Sequence, residues 1–323
     1  MNKKFPKPRV FASRCLGFEA CRWNGAIIPD KFVEKLKPHV EYITTCPEAD
    51  IGLGVPRDPI RIIFTDGSFR LAQLNTGRDV TDLMRDYARE YVRSLEGMDG
   101  FILKDRSPSC GLKDVKVYPG LKANNVIKKT SGFFAREVID RYPALAVETE
   151  GRLTNYNLRE NFLTKIFTLA SFRGIEDRRQ MKDLVDFHAR NKFLLMAYDQ
   201  EELALMGRVV ANHEKKPAAE VFSQYREHLG RALGEPPKYT QNINVMMHGL
   251  GYFSKELTED EKRFFLNSLE EYRREQVPLS VPVSLLRSFI VRFREEYLMQ
   301  QTFFEPYPIE LVAVKDSGKG REF

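Results

Sequence analysis

Residues 9–17, RVFASRCLG, form a short apolar run that ends in a cysteine and a glycine. The same order appears in residues 40–46, VEYITTC, and in residues 100–111, where GFIL precedes KDRSPSCG. Short apolar or β-branched runs bounded by Gly, Asp or Pro are typical of β-strands. These three stretches therefore predict three strands, each followed by a loop that carries one cysteine.

Helical patterns separate these strands. Apolar residues recur at helical spacing in residues 29–36, 81–95 and 132–142. A further strand is predicted at residues 60–65. Alternating strands and helices favour a mainly parallel sheet flanked by helices, the α/β class. Because ligands bind at the carboxyl ends of the strands in such sheets, we expect Cys15, Cys46 and Cys110 to meet at one edge.

The second half of the chain changes to helix after helix. Helical patterns cover residues 161–172, 178–198, 200–212, 217–233, 258–275 and 283–301. We therefore predict an all-α second domain. The predicted division is an α/β domain at 1–155, a connecting helix or linker at 156–175, a helical domain at 176–314 and a flexible polar tail at 315–323.

Composition narrows the class of protein. Hydrophobic residues make up 42% and charged residues 30%, as in ordinary globular domains. The sequence shows no secretory signal, and its apolar runs are too short to span a bilayer, so we expect a cytoplasmic protein with reduced thiols and no membrane partner. Residues 1–175 hold 29 Lys and Arg against 21 Asp and Glu, whereas the rest holds 22 against 24. This basic first half suits an anionic substrate such as RNA, although basicity also serves solubility alone.

The spacing of the four cysteines points to an unusual metal site. Cys15 and Cys21 are separated by five residues, and Cys46 and Cys110 stand singly, so neither the paired zinc pattern nor the compact ferredoxin pattern fits. Three cysteines on three loops can instead hold an iron–sulfur cubane in which one iron has no protein ligand. An open metal position of this kind can act as a Lewis acid on a substrate.

Two polar residues lie close to these cysteines in sequence. Glu48 follows Cys46 by two residues, and Ser107 precedes Cys110 by three. Beside a cluster, a carboxyl and a hydroxyl group can perform general acid–base chemistry, and we favour that role. The alternatives are a salt bridge from Glu48 to Arg57 or a helix start, and a turn hydrogen bond for Ser107.

Taken together, the motifs resemble a known family. Residues 13–17 (SRCLG), 21–25 (CRWNG), 46–57 (CPEADIGLGVPR) and 104–111 (KDRSPSCG) resemble the thiouracil desulfidase family across roughly residues 9–150. The second half resembles the YbgA-like helical domain that is often fused to it. The matching stretches there are residues 184–196 (LVDFHARNKFLLM), 244–253 (NVMMHGLGYF), 278–286 (PLSVPVSLL) and 306–308 (PYP).

The resemblance implies a cofactor and an activity. Matched motif to motif, Cys15, Cys46 and Cys110 would bind a [4Fe-4S] cluster with one iron not ligated by protein, and Glu48 and Ser107 would be catalytic. The implied enzyme removes sulfur from thiolated uracil without redox chemistry, by hydrolysis of the carbon–sulfur bond. We favour thiouridine in tRNA as the substrate, with sulfide released from the open iron.

Several alternatives stay open at this point. The chain could be a desulfidase of free thiouracil, or a non-catalytic protein that binds metal or senses redox state. Cys21 is left as a nearby thiol with a weak claim to ligation. Arg14 would either contact phosphate or pair with Glu19. His188 and His248 are interpreted as packing or capping residues. The role of the helical domain, the ring position of the sulfur and the oligomeric state stay undetermined.

Overall fold

The computed structural model describes residues 4–312. Its strands are β1 (Arg9–Ser13), β2 (Glu41–Thr45), β3 (Ile60–Thr65), β4 (Ser68–Gln73), β5 (Gly100–Leu103), β6 (Val115–Tyr118), β7 (Lys128–Thr130) and β8 (Ala146–Thr149). Its helices are α1 (Lys31–Leu36), α2 (Thr81–Ser94), α3 (Phe133–Arg141), α4 (Tyr156–Glu176), α5 (Met181–Tyr198), α6 (Gln200–Ala211), α7 (Ala218–Ala232), α8 (Tyr239–Gly251), α9 (Glu259–Arg273), α10 (Ser280–Phe293) and α11 (Glu296–Met299).

The first sheet is parallel and has the order β2-β1-β5-β8. Val10 in the central strand β1 lies opposite Tyr42 of β2 on one side and Gly100 of β5 on the other. Because every strand runs in the same direction, all their carboxyl ends lie at one edge. The three strands predicted before cysteines, β1, β2 and β5, are neighbours in this sheet.

Side chains alternate between the two faces of this sheet, as the pleat requires. Val10 and Ile102 belong to one buried cluster, which also contains side chains of α1 and α4. Phe11 and Phe101 belong to a second cluster with residues of α2 and α3. The sheet is therefore covered by helices on both faces, which explains why its two central strands, β1 and β5, are almost entirely buried.

A second, smaller sheet has the order β4-β3-β6-β7. Strands β3 and β6 are parallel, whereas the β3–β4 and β6–β7 pairs are antiparallel. The run at residues 60–65, predicted to be a strand, is β3 and lies in this sheet rather than beside the cysteine-bearing strands. Asp66 and Gly67 both take positive φ and turn the chain directly back into β4.

The chain divides into two compact units. The first unit consists of two segments, the chain up to Ser171 and the chain from Tyr307 onward. The second unit comprises Phe172–Pro306. Tyr307 and Leu311 are buried in the same cluster as Val10. The division predicted at 155/156 and 175/176 stays a prediction, and the predicted tail at 315–323 lies outside the described residues.

The second unit is entirely helical among its described residues. Its largest buried cluster joins α5, α8, α9 and α10 through Phe193, Met246, Phe265 and Leu286. The predicted fold class, α/β followed by all-α, is confirmed. Among residues 4–312, the structure contains no helix with the length and apolar character needed to cross a bilayer.

Candidate functional site

All four cysteines line one cavity at the carboxyl edge of the first sheet. The cavity has a volume of about 530 Å³, and Cys15, Cys21, Cys46 and Cys110 are 9%, 1%, 8% and 4% exposed. Each is a free thiol. Cys15 and Cys46 follow β1 and β2 almost directly, and the loop after β5 brings in Cys110. The same cavity is lined by Glu48 and Ser107, so the structure brings every site residue predicted from the sequence together.

The loops after β1 and β2 are held to each other by Asp50. The guanidinium of Arg14 donates to the Asp50 carboxylate over 3.0 and 3.3 Å, and lies 3.6 Å from Glu19. The hydroxyl groups of Tyr87 and Thr45 also donate to Asp50, the first over 2.8 Å. Of the two interpretations of Arg14, pairing with Glu19 is therefore observed, but Asp50 is the main partner.

Arg57 ties together the groups around Cys46. Its Nη1 donates to the carbonyl oxygens of Cys21 (2.9 Å) and Gly54 (3.1 Å), and its Nη2 lies 3.9 Å from Cys46 Sγ. The thiol of Cys46 in turn donates to the Cys21 carbonyl over 3.5 Å. The Arg57 side chain is 3% exposed. A buried cation thus lies beside a thiol that would be negatively charged when it binds metal.

Glu48 accepts hydrogen bonds on both carboxylate oxygens. Oε2 accepts from Arg57 Nε (3.1 Å) and Nη2 (2.8 Å). Oε1 accepts from the hydroxyl groups of Ser107 (3.2 Å) and Ser109 (3.0 Å). The salt bridge to Arg57, which was the alternative to a catalytic role, is present. It fixes the carboxylate in the cavity wall, where the Glu48 side chain is 13% exposed, and the catalytic role of Glu48 stays a prediction.

The loop that carries Cys110 is shaped by Ser107. Its Oγ accepts from the backbone N–H groups of Ser109 and Cys110, each over 3.2 Å, while its own hydrogen points to Glu48. This is the turn chemistry that was the alternative for Ser107. The hydroxyl oxygen is therefore fixed by two donors, and only the direction of its proton is free to change.

The start of α3 packs tightly against this loop. Phe133 N and Ala135 N donate to the carbonyl oxygens of Pro108 (3.1 Å) and Ser109 (3.0 Å). A Cβ on Gly132 would come within 2.4 Å of the Ser109 oxygen and 2.8 Å of the Pro108 oxygen. Only glycine fits between the helix and the Cys110 loop at this point.

Burial favours the protonated form of three of these thiols, Cys15, Cys21 and Cys110. It raises the pKa of Cys15 to about 12, with Cys46 adding to the effect, and raises the pKa of Cys21 to about 12. The pKa of Cys110 also lies well above its ordinary value, for the same reason. Because a metal ligand must be a thiolate, metal binding at any of these three cysteines would displace the thiol proton.

The side chains around the cavity include cysteine thiols, the ligands that hold iron–sulfur clusters. Within residues 4–312, no three His, Cys, Asp or Glu side chains lie close enough together to hold one metal ion. A cubane cluster receives each thiolate on a different iron, so its cysteines stand further apart than those around one zinc ion. Cys15, Cys46 and Cys110 are buried on three different loops around one cavity.

Some functional contacts were not foreseen from the sequence. Ser109 is fully buried and bonds Glu48, although it lies 61 residues away in the chain. The repeated serine of the S-P-S-C stretch was the signal that could have identified it. Asp50 and the several bonds of Arg57 were also missed, because pairing across loops leaves no local pattern.

The two histidines singled out from the sequence lie in the helical unit. Nδ1 of His188 lies 3.1 Å from the Tyr225 hydroxyl oxygen. Burial lowers the pKa of His188, and the positive charge of Lys192 lowers it further. This agrees with a satisfied packing role. His248 is exposed, so it does not pack into the core, and it lies in the last turn of α8, which ends at Gly251.

Comparison with known families identifies both halves of the chain. Residues 10–150 match the family described as 2-thiouracil desulfurase, and residues 192–308 match a protein family of unknown function, DUF1722. The resemblance predicted for each half is confirmed.

Individual relatives cover one half each. An uncharacterised protein YbgA of Escherichia coli K12 is 26% identical over 161 residues, which is 49% of this chain and 95% of that protein. An uncharacterised protein YbbK of Bacillus subtilis 168 is 34% identical over 110 residues, 32% of this chain and 72% of that protein. A solved structure described as [4Fe-4S]-dependent thiouracil desulfidase TudS is 26% identical, with a TM-score of 0.37, over 46% of this chain and 93% of that one.

Proposed function

The chain belongs to the 2-thiouracil desulfurase family through residues 10–150, and from this premise we propose that it is an enzyme that removes sulfur from thiolated uracil. The observation that carries the proposal is the meeting of Cys15, Cys46 and Cys110 with Glu48 and Ser107 in one cavity. The favoured substrate is thiouridine within tRNA, the product is uridine, and the reaction takes place in the cytoplasm. One water molecule supplies the oxygen, and sulfur leaves as sulfide.

We assign the cofactor as a [4Fe-4S] cluster on Cys15, Cys46 and Cys110, with one iron not ligated by protein. When bound, it supplies a soft Lewis acid for a thiocarbonyl sulfur. Cys21 is not needed as a ligand in this assignment. Its carbonyl already serves the site by accepting hydrogen bonds from Arg57 and from the thiol of Cys46.

Glu48 is the proposed general base. Its carboxylate lies in the cavity wall, 13% exposed, and takes a proton from the water that attacks the thiocarbonyl carbon. Arg57 and Ser109 hold the carboxylate in one orientation through Oε2 and Oε1. A fixed base loses no rotational freedom during the reaction, which is the benefit of such preorganisation.

Ser107 is the proposed hydrogen-bond donor to the substrate. Its oxygen stays bound to the N–H groups of Ser109 and Cys110 while its proton turns from Glu48 towards the ring. Because Ser109 also donates to Oε1 of Glu48, that oxygen keeps a partner when Ser107 turns away. The two serines therefore have different duties in this mechanism.

A free base is the second candidate substrate, since the family description names 2-thiouracil. The cavity would hold either free 2-thiouracil or the thiouracil base of a thiouridine residue in tRNA. The two candidates differ only in what lies beyond the base. Rates on 2-thiouracil and on thiouridine-containing tRNA therefore separate them.

Anaerobic reconstitution with iron and sulfide tests the proposal. Iron content, visible absorption and sulfide release are measured for the wild type and for single Ala variants at Cys15, Cys21, Cys46 and Cys110. We expect about four irons per chain in the wild type and in Cys21→Ala, and loss of cluster and activity in the other three.

Two outcomes would count against the proposal. One bound zinc per chain with no iron would favour the non-catalytic metal protein. A full cluster without sulfide release from either substrate would remove the desulfidase activity and leave a redox sensor. If Cys21→Ala also loses the cluster, the three-ligand assignment fails while the activity stands.

A further inference from the structure

The outer part of the cavity is lined by basic and aromatic side chains that the proposed chemistry does not use. We call this region the cavity mouth, and define it by Arg22, Trp23, Arg61, Arg106, Lys116 and Tyr118. We propose that the cavity mouth binds the phosphodiester backbone of an RNA strand, with one base stacked on Trp23. The inference rests on the proposed function, because it names what surrounds the thiolated uracil.

Two cations of the cavity mouth, Arg22 and Lys116, are free to bind an anion. Across residues 4–312, the side chains of Arg22 and Lys116 form no ion pair or hydrogen bond. Arg106 has one contact, 3.5 Å from Asp105, and its side chain is 80% exposed. Asp105 and Asp114 also line the cavity, so the unpaired side chains of Arg22 and Lys116 are the ones that would bind phosphate without first breaking an ion pair.

The deeper cations of the same cavity are occupied. Arg57 is bound to Glu48, and Lys104 is bound to Glu150. A phosphate at their position would have to displace a carboxylate. The anion site therefore begins where these pairs end, at the cavity mouth, and leaves the deep part for the base.

Trp23 gives the cavity mouth an exposed aromatic surface. It is the chain's one tryptophan, and it is 45% exposed although it lines a cavity. Its carbonyl oxygen accepts a 2.7 Å hydrogen bond from the backbone N–H of Arg57, which holds its backbone in place. An exposed ring beside free cations is the combination that binds single-stranded nucleic acid, through base stacking and backbone neutralisation.

One wall of the cavity mouth is fixed by Arg61. Its guanidinium lies 3.9 Å from the centre of the Tyr118 ring and donates to the carbonyl oxygens of Leu121 (2.9 Å) and Ala123 (2.7 Å). These bonds hold the loop that presents Lys122 against the second sheet. Arg61 is thus a positioning residue, and the cations around it are presented on a rigid surface.

The positive charge continues beyond the cavity. Residues 113–129 contain five lysines and one aspartate. Lys113, Lys116 and Lys122 are exposed in this stretch. A single nucleotide would not reach along such a surface, so its extent favours a polynucleotide over a mononucleotide.

Binding of a labelled oligouridylate to the full-length, reconstituted protein tests this surface. The triple variant Arg22→Gln, Arg106→Gln, Lys116→Gln is compared with the control Lys31→Gln, Arg89→Gln, Arg93→Gln. The control removes the same charge from exposed residues that do not line the cavity. Fluorescence anisotropy gives the affinity at several salt concentrations.

We expect the first triple variant to lose at least tenfold in affinity at low salt. Its slope of log affinity against log salt should fall by about 2, at about 0.7 for each phosphate contact on a single strand. The control should stay within twofold of the wild type. Equal losses in both triple variants, or no loss in the first, would overturn the proposal.

Trp23 supplies a second, independent measurement. Because no other tryptophan contributes, a change in tryptophan emission on adding oligouridylate reports on this position. Trp23→Phe should keep the wild-type affinity within about threefold, and Trp23→Ala should weaken binding about tenfold, as expected for loss of one stacked base. Unchanged affinity in Trp23→Ala would remove the stacking role.

These measurements separate this inference from the proposed function. Oligouridylate contains no sulfur, so its binding needs no turnover. Binding that depends on the cavity mouth, without sulfide release from any substrate, would keep the RNA site and reject the desulfidase. Sulfide release from 2-thiouracil alone, with binding indifferent to the first triple variant, would do the reverse.

Discussion

The deep part and the mouth of one cavity use charged groups in opposite ways. In the deep part, Glu48 and Arg57 are almost buried and bound to each other and to their neighbours. At the cavity mouth, Arg22 and Lys116 have no side-chain partner among residues 4–312. Paired groups are fixed in place and suit chemistry on a small base. Free groups keep their charge available for a large, solvent-exposed anion.

The largest loss of activity should follow from replacing the proposed general base, Glu48. Glu48→Gln keeps the size of the side chain but cannot take up a proton from water, so kcat for sulfide release should fall by about 10² to 10⁴. Iron content should stay at the wild-type value. Glu41→Gln, at an exposed position of β2, is the control and should change neither quantity. A Glu48→Gln enzyme with full iron and near-normal kcat would remove Glu48 from the chemistry.

A smaller loss of activity should follow from weakening the ion pair between Glu48 and Arg57. Arg57→Lys keeps the charge, but an ammonium group cannot bind Glu48, the Cys21 carbonyl and the Gly54 carbonyl together. We expect kcat or iron affinity to fall about 10- to 100-fold, as for other residues that orient a metal ligand. Arg70→Lys, which alters an exposed pair with Asp79, should have no effect. Equal behaviour of the two variants would show that Arg57 acts through its charge alone.

The stability of the protein should also depend on the close packing of α3 against the loop that carries Cys110. Gly132→Ala places a methyl group against the Ser109 and Pro108 carbonyls and should cost about 1–3 kcal/mol of stability. Urea unfolding followed by Trp23 fluorescence reports on the α/β unit in which both residues lie. Gly120→Ala is the matched control, since nothing lies within 4 Å of its added Cβ. Similar midpoints for both variants would mean that the loop relaxes at no cost.

The smallest effect should come from one charge of the cavity mouth. Lys116→Gln should lower the salt slope of oligouridylate binding by about 0.7, the value for one phosphate contact. Because its side chain has no partner within the described residues, protein stability should not change. Arg93→Gln on α2 should leave the slope as it is. A loss of stability in Lys116→Gln would show that Lys116 makes a stabilising contact and is not a free cation.

The position of three cysteines at one edge of the sheet could be predicted from the sequence, because residues that follow parallel strands lie at the same edge. Strands β1, β2 and β5 run parallel, so residues that follow them must arrive at the same edge. Apolar runs marked those strands clearly. Strand β8, at residues 146–149, was missed because its sequence AVET is short and half polar.

The bonds around Glu48 could not be predicted in the same way. Ser107 and Ser109 reach it across about 60 residues, and their partners depend on the shape of the loop that α3 supports. From the local sequence we predicted phosphate or Glu19 as the partner of Arg14, whereas its hydrogen bonds go to Asp50. Asp50 reaches Arg14 only because the loops after β1 and β2 are neighbours in space. Pairing between loops follows from the finished fold.

Tyr307 and Leu311 belong to the core of the α/β unit, although the whole helical unit precedes them in the chain. Along the chain, the helical unit therefore lies between two segments of the α/β unit. A protein cut after α4 would lose two core side chains together with the helices. Removal of residues 172–306 is the truncation that leaves both segments of the α/β unit in the protein.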